Sequence, residues 1–450
     1  MDATKTLSPN NPINLAQLFR ASVNRYVAPG SWVCVALSGG VDSVVLLHLF
    51  AQLGQEYPLK LTAVHIHHGI SRHADEWAQT CAQLCNSLRI PLQIDRVTIA
   101  PDTKIGLEAA ARRARYAQLA QQKADFIALA HHRDDQAETL VLQLLRGAGV
   151  KGLAAMATLR QITHQPAYLR PLLDVDRSDI IAWARHYQLS WVEDESNQDT
   201  HYSRNFLRHK IMPLLSQQHP AWRVTIARTA QHMAEAAALL DELAELDAAL
   251  SIQAGQLDCA YLNQVSPARA RNLLRYFLAQ HQLAMPSQAR LAEMLSQLTL
   301  TDNDHHIAIA HDQYILHRYQ QFAYVSKLTP AAATDSRWRW HGEAQLDLPE
   351  LHGTLYFKHS IGTGLDLTRL TDINIRLRQG GEHFRPDCKR PNRHLKDLLQ
   401  SARIPPWQRS YIPLIYSGND LVQIPGIGVA CGWQAAAGAA AITIDWRTDS

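Results

Sequence analysis

The sequence predicts an α/β protein with a parallel-sheet N-terminal domain, a helical middle domain and a small α+β C-terminal domain. Three observations predict it. Strand-like and helix-like segments alternate up to about residue 193. Ala/Leu-rich helical spacing without a strand signal takes over from about 219 to 300. Beyond 336, short β-branched runs alternate with Gly/Pro turns, the pattern of small strands and loops. The expected division is 1–213, 214–327, a Pro/Ala/Thr-rich linker at 328–345, and 346–450.

A chain of 450 residues, 46% hydrophobic and 19% charged, has ample material for several cores. Its net charge of +3 is too small to indicate a nucleic-acid partner, so only local clustering can. The N-terminus has no apolar stretch and no segment reaches membrane-span length, so a cytoplasmic protein is expected. The six cysteines, Cys34, Cys81, Cys85, Cys259, Cys388 and Cys431, form no C-x-x-C pair. Reduced thiols and no structural zinc are expected.

In order, 15–28 predict a short helix and 32–37 a buried strand. A Ser/Gly turn follows, then a helix from 44. Residues 59–69 predict a second strand, 73–88 a helix and 92–99 a third strand. Residues 107–122 predict an Ala-rich helix, 124–130 a fourth strand, and 134–146 and 177–188 helices. In the middle, 221–250 predict one long helix, 266–282 and 287–298 shorter ones, and 305–325 a hairpin. A last helix is expected near 393–402. A parallel sheet binds ligands at the carboxyl ends of its strands. Three clusters fall there: 38–43, 65–69 and 131–138.

Residues 38–43 read Ser-Gly-Gly-Val-Asp-Ser. Paired glycines let backbone N–H groups approach an anion, and a helix N-terminus adds partial positive charge. The loop lacks the Gly-Lys-Ser/Thr of a Walker A motif and the spacing of a dinucleotide fingerprint. At 65–69, His-Ile-His-His-Gly closes a strand, and nucleotide contact through His65 is favoured over a metal site. On the helix at 107–122, Glu108, Arg112 and Arg115 share a face. An ion pair and a phosphate-directed arginine are equally compatible with that spacing. At 131–138, Asp135 and Glu138 lie three apart, with His131 before them. Two carboxylates and a histidine exceed what helix capping needs, which points to acid/base or Mg²⁺ chemistry. Arg204 and Arg208 follow one helical turn apart after a polar loop.

Between Arg376 and Arg409 stand nine Lys/Arg against three acids: Arg376, Arg378, Arg385, Lys389, Arg390, Arg393, Lys396, Arg403 and Arg409. Phe384, Trp407 and Tyr411 are interleaved with them. This favours contact with a phosphate backbone over a merely solvated face.

The 38–43 motif resembles the pyrophosphate loop of the PP-loop ATP pyrophosphatases, an adenine-nucleotide hydrolase-like fold. The set 38–43, 65–69, 106–116, 130–139, 170–173, 194–208 and 378–416 is similar to the tRNA(Ile)-lysidine synthetase family. Departures are Glu195 where proline is common, His67 where Asp or Asn is common, and an irregular basic loop around Arg385-Pro386 and Arg390-Pro391. The resemblance implies ATP and Mg²⁺ as cofactors, and L-lysine and a tRNA(Ile) with a CAU anticodon as partners. It implies lysine transfer to C2 of the wobble cytidine through an O-adenylated base. Ala36, Ser38, Gly39, Gly40, Val41, Asp42, Ser43 and His65 would hold the nucleotide, with Asp42 on the metal. Asp42, Arg112, His131, Asp135, Glu138 and Arg204 would be catalytic, with Asp135, Glu138 or Glu108 receiving the lysine proton. Arg376, Arg378, Lys389, Arg390, Arg393, Lys396, Arg403 and Arg409 would meet the tRNA. A PP-loop tRNA thiolase, a GMP- or NAD-synthetase-like enzyme, and an RNA-binding protein with a vestigial nucleotide domain are the alternatives. The first needs a reactive cysteine or Cys-held cluster. The second leaves the basic block unexplained, and the third leaves the carboxylate pair unexplained.

Overall fold

The computed structural model describes residues 12–69, 71–98, 107–195, 199–300, 307–328, 336–386, 388–389 and 391–448; of 12, 13, 107 and 108 only the backbone is described. Arg390, the Glu108 side chain, and most of the 328–335 stretch therefore lie outside the described residues, as does part of the 194–208 loop. The chain forms two compact units, 1–243 and 244–450. No described helix is long and apolar enough to cross a membrane.

The first unit runs α1 (Pro12–Asn24), β1 (Trp32–Ala36), α2 (Val41–Glu56), β2 (Lys60–His67), α3 (Ala74–Ser87), β3 (Leu92–Arg96) and α4 (Leu107–Leu119). It continues β4 (Phe126–Ala128), α5 (Arg133–Leu145), α6 (Val150–Leu153), β5 (Leu159–Arg160), β6 (Ala167–Leu169) and α7 (Arg177–His186). Then come α8 (Ser203–Phe206), a π-type turn (Leu207–Ile211), α9 (Met212–Gln218) and α10 (Trp222–Ser251), whose last residues enter the second unit. The sheet order is β3-β2-β1-β4-β6-β5, parallel except for the short β5. From β1 the chain builds outward to β2 on one side and later to β4 on the other. The loops leaving β1 and β4 thus open side by side, at the switch point where such sheets bind ligands.

Apolar strand residues explain why this sheet is covered on both faces. Val33, Val35 and Leu37 pack with Val45, Leu46 and Leu49 of α2 and Trp183 of α7. On the other face Cys34, Val64 and Ile127 pack with Leu119 and Tyr168. Phe19 of α1 meets Phe50 of α2 edge-on at 4.9 Å.

The second unit departs from the sequence reading at 252–258. That stretch forms β7 (Ile252–Gln253) and β8 (Gln256–Asp258), not helix. Two- and three-residue strands are too short to show a period, and Ala254 and Gly255, at φ +49° and +73°, make the turn. Next come α11 (Cys259–Gln264), α12 (Pro267–Gln280), α13 (Gln288–Leu298), β9 (Ile307–His311), β10 (Tyr314–Tyr319) and β11 (Phe322–Lys327). Here 305–325 yields three strands, in a sheet ordered β7-β8-β11-β10-β9.

The C-terminal part contains β12 (Arg337–Trp340), β13 (Gln345–Leu348), β14 (Gly353–Ile361), β15 (Leu365–Asp366), β16 (Ile373–Arg376), β17 (His383–Phe384) and β18 (Arg393–His394). It ends with α14 (Leu395–Ser401), β19 (Leu414–Ser417), β20 (Asp420–Ile424), β21 (Gly428–Val429) and β22 (Ala440–Thr448). Two antiparallel sheets, β12-β16-β19-β20-β21 and β13-β14-β22-β15, close over Leu355, Ile375, Ile415, Val422 and Ile442.

The expectation of six reduced cysteines is corrected. Cys388 and Cys431 are paired, with Cα atoms 5.0 Å apart across 43 residues of sequence. The loop after β17 is brought onto 428–434, where the Cys431 N–H donates to Arg385 O at 2.7 Å. Only that folding makes the two cysteines neighbours, so their spacing carried no signal. Alkylating the unfolded, unreduced protein should label four thiols, and reduction should expose two more. Labelling of all six without reductant would refute the pairing. Cys388→Ser should lower stability by about 2–4 kcal/mol in urea unfolding of the oxidised protein.

Candidate active site

The site begins with the turn between β1 and α2. Gly39 has φ +91°, and a Cβ there would lie 2.9 Å from Val192 Cγ2 and 3.3 Å from Cys81 Sγ. Both backbone conformation and space therefore demand glycine. Val192 N–H donates to Gly39 O at 3.0 Å, which ties the turn to the segment after α7. Ser43 Oγ donates to Gly40 O at 2.9 Å and accepts from Ser38 N–H at 3.2 Å; Ser38 Oγ lies 3.1 Å from it. These bonds fold the loop back over the first turn of α2. First-turn N–H groups lack helical partners, so the turn is prepared for anionic oxygens.

His65 sits beneath the loop. Its Nδ1–H donates to Leu37 O at 2.8 Å. Burial pushes its pKa down, more than the Leu37 bond raises it. His65 thus braces the strand that carries the loop. His67 turns to Asp75 at 3.2 Å.

Asp42 stands on the first turn of α2. Its Oδ1 is buried without a hydrogen-bond partner, 3.8 Å from His132 Nε2 and 3.9 Å from Arg177 Nε. Burial pushes the Asp42 pKa up, against the lowering by His132 and Arg177. A desolvated, orphaned carboxylate oxygen beside a phosphate loop fits a Mg²⁺ ligand, since Mg²⁺ commonly takes one or two carboxylates plus phosphates. Among the described residues no cluster of three or more His, Cys, Asp or Glu could hold a metal alone. Any ion here would share Asp42 with the bound phosphates.

Beside this stands α5, with His132 as N-cap. Asp135 Oδ2 accepts the His132 N–H at 3.1 Å, so this carboxylate does cap the helix. It also does more. Asp135 Oδ1 accepts from Arg204 Nη2 at 3.1 Å and Arg208 Nη2 at 3.3 Å. Glu138 accepts from Arg204 Nε at 2.8 Å, and from Arg208 Nε and Nη2 at 2.7 and 2.9 Å. The Glu138 side chain is only 2% exposed. Burial opposes the charge on Asp135, yet His132, Arg204 and His131 hold its pKa at about 2. Two carboxylates thus face two guanidiniums in a nearly dry pocket. Removing one partner of such a buried pair costs about 3–5 kcal/mol.

His131 points elsewhere. Its Nδ1 accepts from Arg170 Nε at 3.3 Å, and burial above all drives its pKa down to about 3. It is a neutral acceptor, not a base poised near neutral pH. Arg112 is exposed and lies with Tyr116, its Nη2 3.5 Å from the phenol oxygen.

The structure therefore gathers Ser38, Gly39, Gly40, Asp42, Ser43, Asp135, Glu138 and Arg204. His131 and Arg112 fall into a neighbouring cluster. The sequence reading passed over His132, Arg177 and Arg170 as site residues, and placed Arg208 on the helix without a partner. One turn of spacing from Arg204 was the signal for Arg208; Arg177 gave none. In the basic block, Arg376 reaches Gly418 O at 3.0 Å and stacks 4.7 Å from the Tyr416 ring. Arg378 pairs with Glu382 at 3.6 Å, and Arg393 reaches Ser401 Oγ at 3.4 Å. Arg409 donates to Ile404 O at 2.8 Å and Tyr319 Oη at 3.1 Å. Lys389, Lys396 and Arg403 are exposed.

A phosphate-ready loop at a sheet switch point, with a carboxylate–arginine pocket beside it, is the arrangement of an ATP-using enzyme. A family model described as a PP-loop domain matches residues 10–215. The chain is therefore a PP-loop enzyme with an ATP-binding domain. Models described as the TilS substrate binding domain and the TilS substrate C-terminal domain match 257–324 and 373–446. A tRNA(Ile)-lysidine synthase of Nitrosomonas europaea is 44% identical, over 99% of this chain and 98% of that one. Relatives of the same name from Coxiella burnetii and Azoarcus sp. are each 39% identical; they align over 89% and 96% of this chain and 90% and 94% of their own. The chain belongs to the tRNA(Ile)-lysidine synthase family and is a ligase-type enzyme.

Gly39→Ala should destabilise the fold by about 1–3 kcal/mol and abolish ATP binding, measured by melting and calorimetry. Unchanged ATP affinity would mean the loop does not hold phosphate. His131 binds its proton near pH 3 when folded and near 6.5 when unfolded. Its contribution to stability is therefore complete above about pH 6.5 and lost as pH falls toward 3. His131→Asn should flatten unfolding free energy against pH in that window. An unaltered profile would contradict the neutral, buried assignment.

Proposed function

We propose that this enzyme joins L-lysine to C2 of the wobble cytidine of tRNA(Ile) bearing a CAU anticodon. The observation that carries the reading is the placement of Asp42 and the phosphate loop against the Asp135–Glu138–Arg204–Arg208 pocket. One end suits the cleavage of ATP, and the other suits a cationic amine.

The C2 oxygen of cytidine attacks the α-phosphorus and pyrophosphate leaves, giving an O-adenylated base. The lysine ε-amine then forms the C2–N bond, the C2–O bond breaks, and AMP departs with that oxygen. Ser38, Gly39, Gly40 and Ser43 would cradle the pyrophosphate, with Ala36, Val41 and His65 shaping the nucleotide end. Asp42 would hold a Mg²⁺ ion, which when bound offsets phosphate charge. The ε-amine must lose a proton before attack, because its ordinary pKa is near 10.4. Glu138 and Asp135 suit holding the ammonium. Asp135, its pKa kept at about 2 by its cationic neighbours, is the weaker base, so the proton is assigned to Glu138. The ammonium and the two guanidiniums compete for the same carboxylate oxygens. Arg112 would steady phosphate oxygens from the adjoining cluster. In the division of labour proposed here, 1–213 performs this chemistry and 346–450 meets the tRNA body through Arg376, Arg378, Lys389, Arg390, Arg393, Lys396, Arg403 and Arg409. The helical 214–327 stretch contributes substrate binding.

The chemistry of the thiols speaks against the thiolase alternative. Burial pushes Cys34 and Cys85 up to about 11, and Cys81 and Cys259 up to about 12. Such thiols stay protonated and are poor nucleophiles.

Incubation of tRNA carrying a CAU anticodon with ATP and labelled lysine should transfer label to the RNA, and Asp42→Asn should stop it. Lack of lysine incorporation by the wild-type protein, with sulfur incorporation instead, would favour the thiolase. Neutralising Lys389 and Lys396 should weaken tRNA binding and reduce its salt slope by about 0.7–0.9 per lost phosphate contact, with ATP binding retained. An unchanged slope would remove both lysines from the RNA interface.

A further inference from the structure

A second group of cations adjoins His131 through Arg170, and beyond a phosphate contact for Arg112 the steps above give it no defined ligand. α4 brings Arg112, Arg115 and Tyr116 onto one face by their i, i+3, i+4 spacing. The Arg112 and Arg115 guanidiniums stand 5.1 and 5.7 Å from the Tyr116 ring centroid. Tyr116 meets Tyr168 of β6 edge-on at 5.4 Å. Arg170, two residues further on and only 5% exposed, donates to Ala157 O at 2.8 Å and His131 Nδ1 at 3.3 Å.

These partners are neutral. Among the described residues no carboxylate forms an ion pair with Arg112, Arg115 or Arg170, whereas Arg204 and Arg208 share two. Burial, and after it neighbouring guanidinium charge, holds Arg115 and Arg170 below the ordinary arginine value, against the opposing pull of Tyr116. Buried cations without a counter-ion are costly, and a bound anion removes the cost. The cluster adjoins the reaction centre: Arg170 touches His131, and the next residue, His132, is 3.8 Å from Asp42.

We propose that Arg115 and Arg170, with Arg112 and Tyr116, form a second oxyanion site that takes the RNA backbone phosphate of the nucleotide being modified. The inference rests on the RNA-substrate reading above. ATP already has its phosphate loop at 38–43. A cytidine whose base reaches that loop carries its own phosphodiester, and planar guanidinium forks match phosphate oxygens in pairs. The Tyr116 ring adds an aromatic surface of the kind that stacks unpaired bases. Arg115 and Arg170 would then be positioning residues: they fix where the cytidine C2 oxygen lies relative to the α-phosphorus.

The test measures KM for tRNA, ATP and lysine separately in the wild type, Arg115→Gln and Arg170→Gln. The RNA is a CAU transcript, with and without a neutral methylphosphonate at the phosphates flanking the target cytidine. The expected result is a rise in KM for tRNA of about tenfold or more, with KM for ATP and lysine unchanged. The methylphosphonate should impair the wild type and cost the variants nothing further, the signature of a direct pair. Arg115→Lys and Arg170→Lys should restore part of the loss, which a folding defect would not allow. A rise in KM for lysine alone would assign the site to the amino-acid carboxylate, and a rise for ATP alone to the triphosphate; either overturns the proposal. Equal sensitivity of wild type and variants to the methylphosphonate also overturns it. A wild-type protein that neither binds nor modifies the transcript sinks the RNA reading itself, a result distinct from these.

Discussion

Two carboxylates in a nearly dry pocket impose the strictest condition on this protein. Asp135 and Glu138 cannot both be ionised there unless positive charge is brought to them. The chain supplies it from about 70 residues downstream, through Arg204 and Arg208. The two arginines lie four apart, so one helical face presents both. Meeting this condition anchors α8 and the π-type turn against α5.

The neighbouring groups are driven apart in character by the same low-dielectric setting. Asp135 is held ionised by its cationic neighbours, while burial pushes Asp42 toward the neutral form against the weaker pull of His132 and Arg177. His131 is kept neutral beside Arg170. Such divergence among close titratable groups is how a site assigns distinct roles to chemically similar residues. Asp42 is the carboxylate with an oxygen left without a hydrogen-bond partner, and Asp135 and Glu138 are those already bonded to guanidiniums. The loop at 38–43 adds rigidity: its geometry depends on Gly39 having no side chain, against Val192 and Cys81.

Much of the first unit was legible because its signals are local. Buried parallel strands read as apolar runs, and the Ser-Gly-Gly turn states its own backbone conformation. The carboxylate pair was legible for the same reason, three residues apart on one helix. What was misjudged turned on direction. His131 and His132 are adjacent after β4, and side chains alternate along extended backbone. The sequence reading favoured His131, yet His132 faces Asp42 and Asp135 while His131 faces Arg170. The strands at 252–258 were missed because segments of two or three residues have no period. Arg409 illustrates a third kind of difficulty. As part of a basic run it reads as an RNA contact, and the fold also engages it with Tyr319, 90 residues away in sequence.

The sequence by itself determined the parallel sheet, the phosphate loop, the family and the residue types available for chemistry, because each of these follows from short-range pattern or from ordered motifs. Tertiary structure decided the pairings: Arg204 and Arg208 on Asp135 and Glu138, Arg170 on His131, Cys388 on Cys431. It also decided which arginines have no carboxylate partner among the described residues. Pairing is a matter of distance between side chains far apart in sequence. Charge compensation is set by burial, which no local pattern records.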